Sequence, residues 1–151
     1  MRTLTIAAAI LLLAAPAFAH VTVAPQQAPA GASQVYKLRV HNDGKTPTAS
    51  LELQIPEGVT IDSVAPMATG KSEMTKKGGR VTAITWAIEV PVGKYVELAF
   101  TAKNPVTGNQ LSWNVTEKFK DGSTIEYTDK PGAKEKASIT KLTLSPPAAR
   151  K

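Results

Sequence analysis

The chain has no cysteine and only two histidines among its 151 residues. Without cysteine there is no disulfide to staple a small domain, so the fold must stand on packing. There is also no thiolate for a soft metal ion, and no Cys nucleophile. Neither histidine has a spacing that suggests a Ser-His-Asp triad. Aromatic residues make up 5% of the chain, few for the stacking surfaces that nucleic acids and extended glycans require. No Met-x-Met cluster accompanies Met67 and Met74.

The chain does carry charge, a formal net of +6, but its lysines are scattered. The densest group, Lys76-Lys77 with Arg80, surrounds a Gly78-Gly79 turn. Nucleic-acid binders gather their charge on one face or along a helix, so no nucleic-acid partner is expected. Asn114-Val115-Thr116 fits a glycosylation sequon but reads as part of a strand.

Long apolar runs are absent except at the start. Arg2 precedes TIAAAILLLAAPAFA at residues 5–19, which ends in Ala17-Phe18-Ala19. A basic residue, an apolar run and an Ala-x-Ala ending describe a cleaved secretory signal. The run is too short for a spanning helix and Pro16 interrupts it. Residues 1–19 are therefore read as a leader removed after Ala19. The mature protein is expected in the periplasm or secreted, with no transmembrane segment. His20 becomes its first residue, with a free α-amino group. Residues 20–144 are read as one domain and 145–151 as a short polar tail.

Within that domain strands follow one another and no helix pattern is convincing. In Ser33 to Asn42, Tyr36, Leu38 and Val40 alternate with Lys37, Arg39 and His41, a period of two. Asp43-Gly44 then marks a turn. Further strands are read at Leu51–Ile55, around Val59–Val64, and over Val81–Val90, Tyr95–Ala102, Leu111–Phe119, Thr124–Asp129 and Ser138–Leu144. Gly78-Gly79 and Asp121-Gly122 supply hairpin turns. Short strands at this spacing with Gly/Pro turns indicate an all-β fold, a single β-sandwich domain.

A mature N-terminal histidine offers a metal two nitrogens from one residue, the α-amine and imidazole Nδ1. Imidazole suits copper and zinc, and Cu(II) stands highest in the divalent affinity order and accepts tetragonal N,O geometry. The pieces HVTVAP (20–25), IPEGV (55–59), TAITWAIE (82–89), GKYVELAFTAKNP (93–105) and FKDGSTIEY (119–127), in that order, resemble the YcnI-like copper-binding family. The resemblance implies a β-sandwich of cupredoxin-like or fibronectin/immunoglobulin-like appearance. It also implies Cu(II) held by a monohistidine brace, with a carboxylate and a nearby tryptophan.

Carried over, His20 matches the brace and Glu97, in GKYVELAF, matches the carboxylate. Glu89, Glu117 and Glu126 compete with Glu97 on physical grounds, since all lie on expected strands. After the DGS turn the family pattern resembles Val-Glu-Trp, whereas this chain has Ile125-Glu126-Tyr127. Tyr127 takes the ring's place beside the metal, or Trp113 or Trp86 serves from another strand. His41 shares a parity with Lys37 and Arg39 and is read as solvent-facing at a strand end. A ligand role for it stays open, because histidines on separate strands can converge on a metal.

The expectation is an exported, non-enzymatic Cu(II)-binding protein for copper buffering, trafficking or delivery. By resemblance its partners are periplasmic copper chaperones or an inner-membrane copper importer. Two rivals remain: a metal-free extracytoplasmic interaction or adhesin domain, and a histidine-brace oxidative copper enzyme acting on polysaccharide, for which His41 is the only second histidine.

Overall fold

A computed structural model describes residues 20–144; the expected leader at 1–19 and the tail at 145–151 lie outside the described residues. The described chain forms twelve strands. They are β1 (Val21–Ala24), β2 (Gln27–Pro29), β3 (Ser33–His41), β4 (Thr48–Gln54), β5 (Thr60–Val64) and β6 (Lys71–Lys77). There follow β7 (Arg80–Val90), β8 (Tyr95–Lys103), β9 (Gln110–Phe119), β10 (Thr124–Thr128), β11 (Glu135–Lys136) and β12 (Ser138–Thr143). One sheet has the order β1-β3-β8-β5. The other runs β11-β10-β9-β4-β7-β6, with β12 pairing β9 and β2. This is the expected all-β sandwich.

Alternation produces the two layers, because successive strand side chains point to opposite faces. In β3, Tyr36, Leu38 and Val40 are buried while Lys37 and Arg39 are exposed. In β9, Leu111, Trp113, Val115, Glu117 and Phe119 face inward. The inner faces meet in an aromatic group at the centre. The Tyr36 ring lies 4.9 Å from Trp113 and 5.6 Å from Phe100, and Phe100 lies 5.7 Å from Trp113. Each such pair adds about 0.5–1.5 kcal/mol beyond its area. The polar tips of this group are satisfied. Tyr36 O–H donates to Asn104 Oδ1 at 2.6 Å, and Trp113 Nε1–H donates to Thr140 Oγ1 at 2.9 Å.

The Gly78-Gly79 hairpin forms as expected, with φ of 58° and 77°, the positive values its tight turn needs. Its first arm, β6, is exposed along its whole length. It is held by pairing to β7 without an apolar pattern of its own.

Burial pushes the Tyr36 phenol up to about 12 from 10.0. The folded state therefore keeps a proton that the unfolded chain gives up first. The resulting stability is fully present below about pH 10 and is lost as pH rises toward about 12, by roughly 2–3 kcal/mol. Chemical denaturation across that range should show the loss in the parent protein. The loss should be smaller by that amount in Tyr36→Phe.

Candidate metal centre

β1 and β3 run antiparallel, with Val21 opposite Val40 and Val23 opposite Leu38. These four side chains are buried in the core, so alternation sends their sequence neighbours to the outer face. One step beyond the ladder the His41 N–H donates to the His20 carbonyl at 2.8 Å. His20 and His41 are thus cross-strand neighbours, and side chains at opposed positions stand close enough to share one ligand.

The shared group is Asp43. His41 Nδ1 lies 2.6 Å from Asp43 Oδ1, and His20 Nδ1 contacts Asp43 Oδ2. Among the described residues, these three form the one group of His, Asp or Glu residues whose candidate ligand atoms lie within 4.8 Å of one another. All three side chains are between 42% and 46% exposed, so an ion could reach them from solvent.

Asp43 is aimed by its neighbours. Asn42 is fully buried and its Nδ2 donates to the carbonyls of Thr46 and Val90 at 3.0 and 2.9 Å. Its Oδ1 accepts from the Gly44 N–H at 2.8 Å. Its backbone joins the β7–β8 loop, donating to the Lys94 carbonyl and accepting from the Gly93 N–H. A Cβ at Gly44 would lie 2.8 Å from the Phe119 ring, so only glycine lets this turn pack down so closely.

Within electrostatic reach of the cluster lies a buried carboxyl. Glu117 accepts from Thr48 Oγ1 at 2.6 Å and is 1% exposed. Burial pushes its pKa up; the hydrogen bonds from Thr48 and Tyr127 oppose that rise. The charges of Asp43 and His20 also reach it. Burial likewise pushes the Tyr127 phenol up, helped by the adjacent Glu117 charge. In its ionised form this carboxyl adds negative potential near the cluster, which favours a cation.

Of the residues singled out from sequence, His20 is in the cluster. His41 is partly exposed at its strand end, as read, and is drawn to Asp43. Tyr127 approaches through its hydrogen bond to Glu117. Trp113 and Trp86 are wholly buried in the core, and Trp113 spends its N–H on Thr140. The structure does not bring Glu97 to His20. Glu97 stands opposite Arg39 on β8, with β3 between it and β1, and its side chain is exposed. Glu89 pairs with Lys120 at 3.0 Å, and Glu126 is exposed on β10. Sequence reasoning missed Asp43. Its signal was the Asp-Gly pair two residues after His41, read there only as a turn.

The DUF1775 family, described as a domain of unknown function, matches residues 20–148. The chain is 30% identical over 141 residues to the copper-binding protein CutI of Bacillus subtilis (strain 168), covering 91% of this chain and 69% of that one. In structure it is similar to an uncharacterized Nocardia farcinica protein with an immunoglobulin-like fold. The TM-score is 0.72 at 19% identity, over 82% of this chain and 98% of that one. It is similar also to a non-cellulosomal cohesin of the archaeon Archaeoglobus fulgidus, with a TM-score of 0.51 at 12% identity, covering 82% and 89% of the two chains. These likenesses mark the sandwich as immunoglobulin-like.

Asn42→Ala tests how the site is aimed. It strands polar groups in the Gly44–Thr46 turn and at the Val90 end of β7, so unfolding stability should fall by about 2–3 kcal/mol. Where the variant stays folded, Asp43 should lose its fixed place, visible as loss of the His41–Asp43 contact in NMR spectra of the imidazoles. A stable variant with unchanged imidazole signals would show that the turn is held elsewhere.

Proposed function

The chain belongs to the YcnI-like family defined by DUF1775, and from that premise we propose that it is an exported Cu(II)-binding protein that buffers, traffics or delivers copper outside the cytoplasm. The observation that carries this reading is the convergence of His20 Nδ1 on the Asp43 carboxylate. Nδ1 is the imidazole nitrogen that can close a chelate ring with the α-amine of the same residue. Removal of the leader after Ala19 would supply that amine. Amine, Nδ1 and a carboxylate oxygen make a mixed N,O set that suits Cu(II), and water can complete it.

The residues of this chain do the positioning. The β1–β3 ladder fixes the His20 backbone, and Asn42 fixes the turn that presents Asp43. An ionised Glu117 near the cluster would favour a cation, and the half-exposed ligands leave the ion open to exchange with a partner. Copper is the cargo here. In this reading Asp43 takes the carboxylate role assigned by resemblance to Glu97. Periplasmic copper chaperones or an inner-membrane copper importer remain the proposed partners.

A second reading, an oxidative copper enzyme acting on polysaccharide, draws support from the same second histidine, His41. Oxygen consumption dependent on a glycan would favour it over a carrier.

Two measurements test the carrier reading. A single Gly placed before His20 moves the amine away while leaving the fold intact. It should weaken Cu(II) binding at least a hundredfold by calorimetry, about 2.7 kcal/mol. Equal affinities would remove the amine from the ligand set. In the mature chain, Asp43→Asn should weaken Cu(II) binding at least tenfold and alter its paramagnetic spectrum, while Glu97→Gln leaves both nearly unchanged. The opposite order would return the carboxylate role to Glu97.

A further inference from the structure

We propose that His41, Asp43 and the imidazole of His20 form a divalent-metal site that does not require the α-amine, so that the chain can take a borderline cation such as Zn(II) or Cu(II) while residues still precede His20. The inference rests on the reading above only in placing the same imidazole in both ligand sets.

The donor set is complete without the chain terminus. Two imidazoles project from opposed positions on adjacent strands, and each turns Nδ1 toward a different oxygen of one carboxylate. Two histidines and a carboxylate are an established zinc donor set, leaving room for water. An ion inserted among the three needs only small side-chain movements, since the ligand atoms already lie within 4.8 Å of one another.

The scaffold is rigid where a weak surface cluster would be loose. The His41 N–H is bonded to the His20 carbonyl, and Asp43 follows directly on the buried Asn42. The alternatives a folded surface offers are poorer. A carboxylate between two neighbouring imidazoles, all about half exposed, contributes little to stability as an ion pair. Its fixed geometry is better explained by a ligand that uses all three groups.

The consequence is a two-step site. With residues before His20, the ion is held by two imidazoles and a carboxylate. Once the chain begins at His20, the α-amine joins, His41 becomes a supporting ligand, and the preference moves toward Cu(II), whose tetragonal geometry the chelate ring suits.

The test uses the full domain with Gly before His20, titrated with Zn(II) alone by calorimetry and with Co(II) by absorption spectroscopy. The extended chain should bind one equivalent of Zn(II) and give Co(II) bands of low coordination number. His41→Ala in that extended chain should weaken Zn(II) binding at least tenfold, about 1.4 kcal/mol. His41→Ala in the mature chain should reduce Cu(II) affinity by a smaller factor. Metal-free thermal unfolding identifies any variant that has lost its fold, and His41→Gln then serves as the milder substitution. No Zn(II) binding by the extended chain, or equal binding with and without His41, overturns the inference. Equal Cu(II) affinity of the mature and extended chains would instead refute amine ligation and leave the His41 site standing.

Discussion

The backbone bond from His41 to His20 closes the end of the β1–β3 ladder, and there a chain without disulfides must hold its first strand. The ladder is short, four opposed pairs. Its grip comes from Val21 and Val23, both buried, at roughly 1.5–3 kcal/mol for each side chain removed from water. A further bond from the Val23 N–H to Ser138 Oγ ties β1 across to β12. Because the strand's register is fixed by which side chains are buried, a slip of one residue would turn both valines outward. The same slip would carry His20 away from His41. The position of the candidate cluster is therefore enforced by the core.

A second layer of constraint lies under Asp43. Buried amides are costly unless every donor and acceptor is paired, and Asn42 meets that demand by bonding to three separate segments at once. Glu117 is the harder case, a carboxyl 1% exposed at the end of an apolar face. Thr48 and Tyr127 donate to it, yet burial still pushes its pKa upward. A nearby cation would offset the cost of its ionised form.

Much of the sandwich was legible because alternation is a local signal. Tyr36, Leu38 and Val40 announce the inner face of β3, and the Gly78-Gly79 turn announces its hairpin. The strands left unread are those without such a signal. β6 is exposed throughout with Met74 its only apolar residue, and β2 and β11 are two or three residues long, so each exists only through its neighbours. Half of the candidate cluster was legible. His20 stood out because it follows the Ala-x-Ala pattern, whereas Asp43 sits in a turn held by Asn42, whose side-chain partners lie up to 48 positions away. Glu97 has outward parity on β8, but the intervening β3 separates it from β1. Strand order is not written in any local pattern.

The placement of the cluster on an edge strand would couple a bound ion to the fold. Terminal strands are where native structure opens most readily, and β1 is an edge strand. An ion bridging His20 to the β3–β4 turn would clamp that edge, and binding to the folded form alone adds about 2.7 kcal/mol of stability at a hundred times the dissociation constant. Conversely, any opening of β1 separates His20 from His41 and Asp43 and lowers the affinity by the same coupling. An ion held at this half-exposed edge would thus be released by a small local motion that leaves the aromatic centre undisturbed.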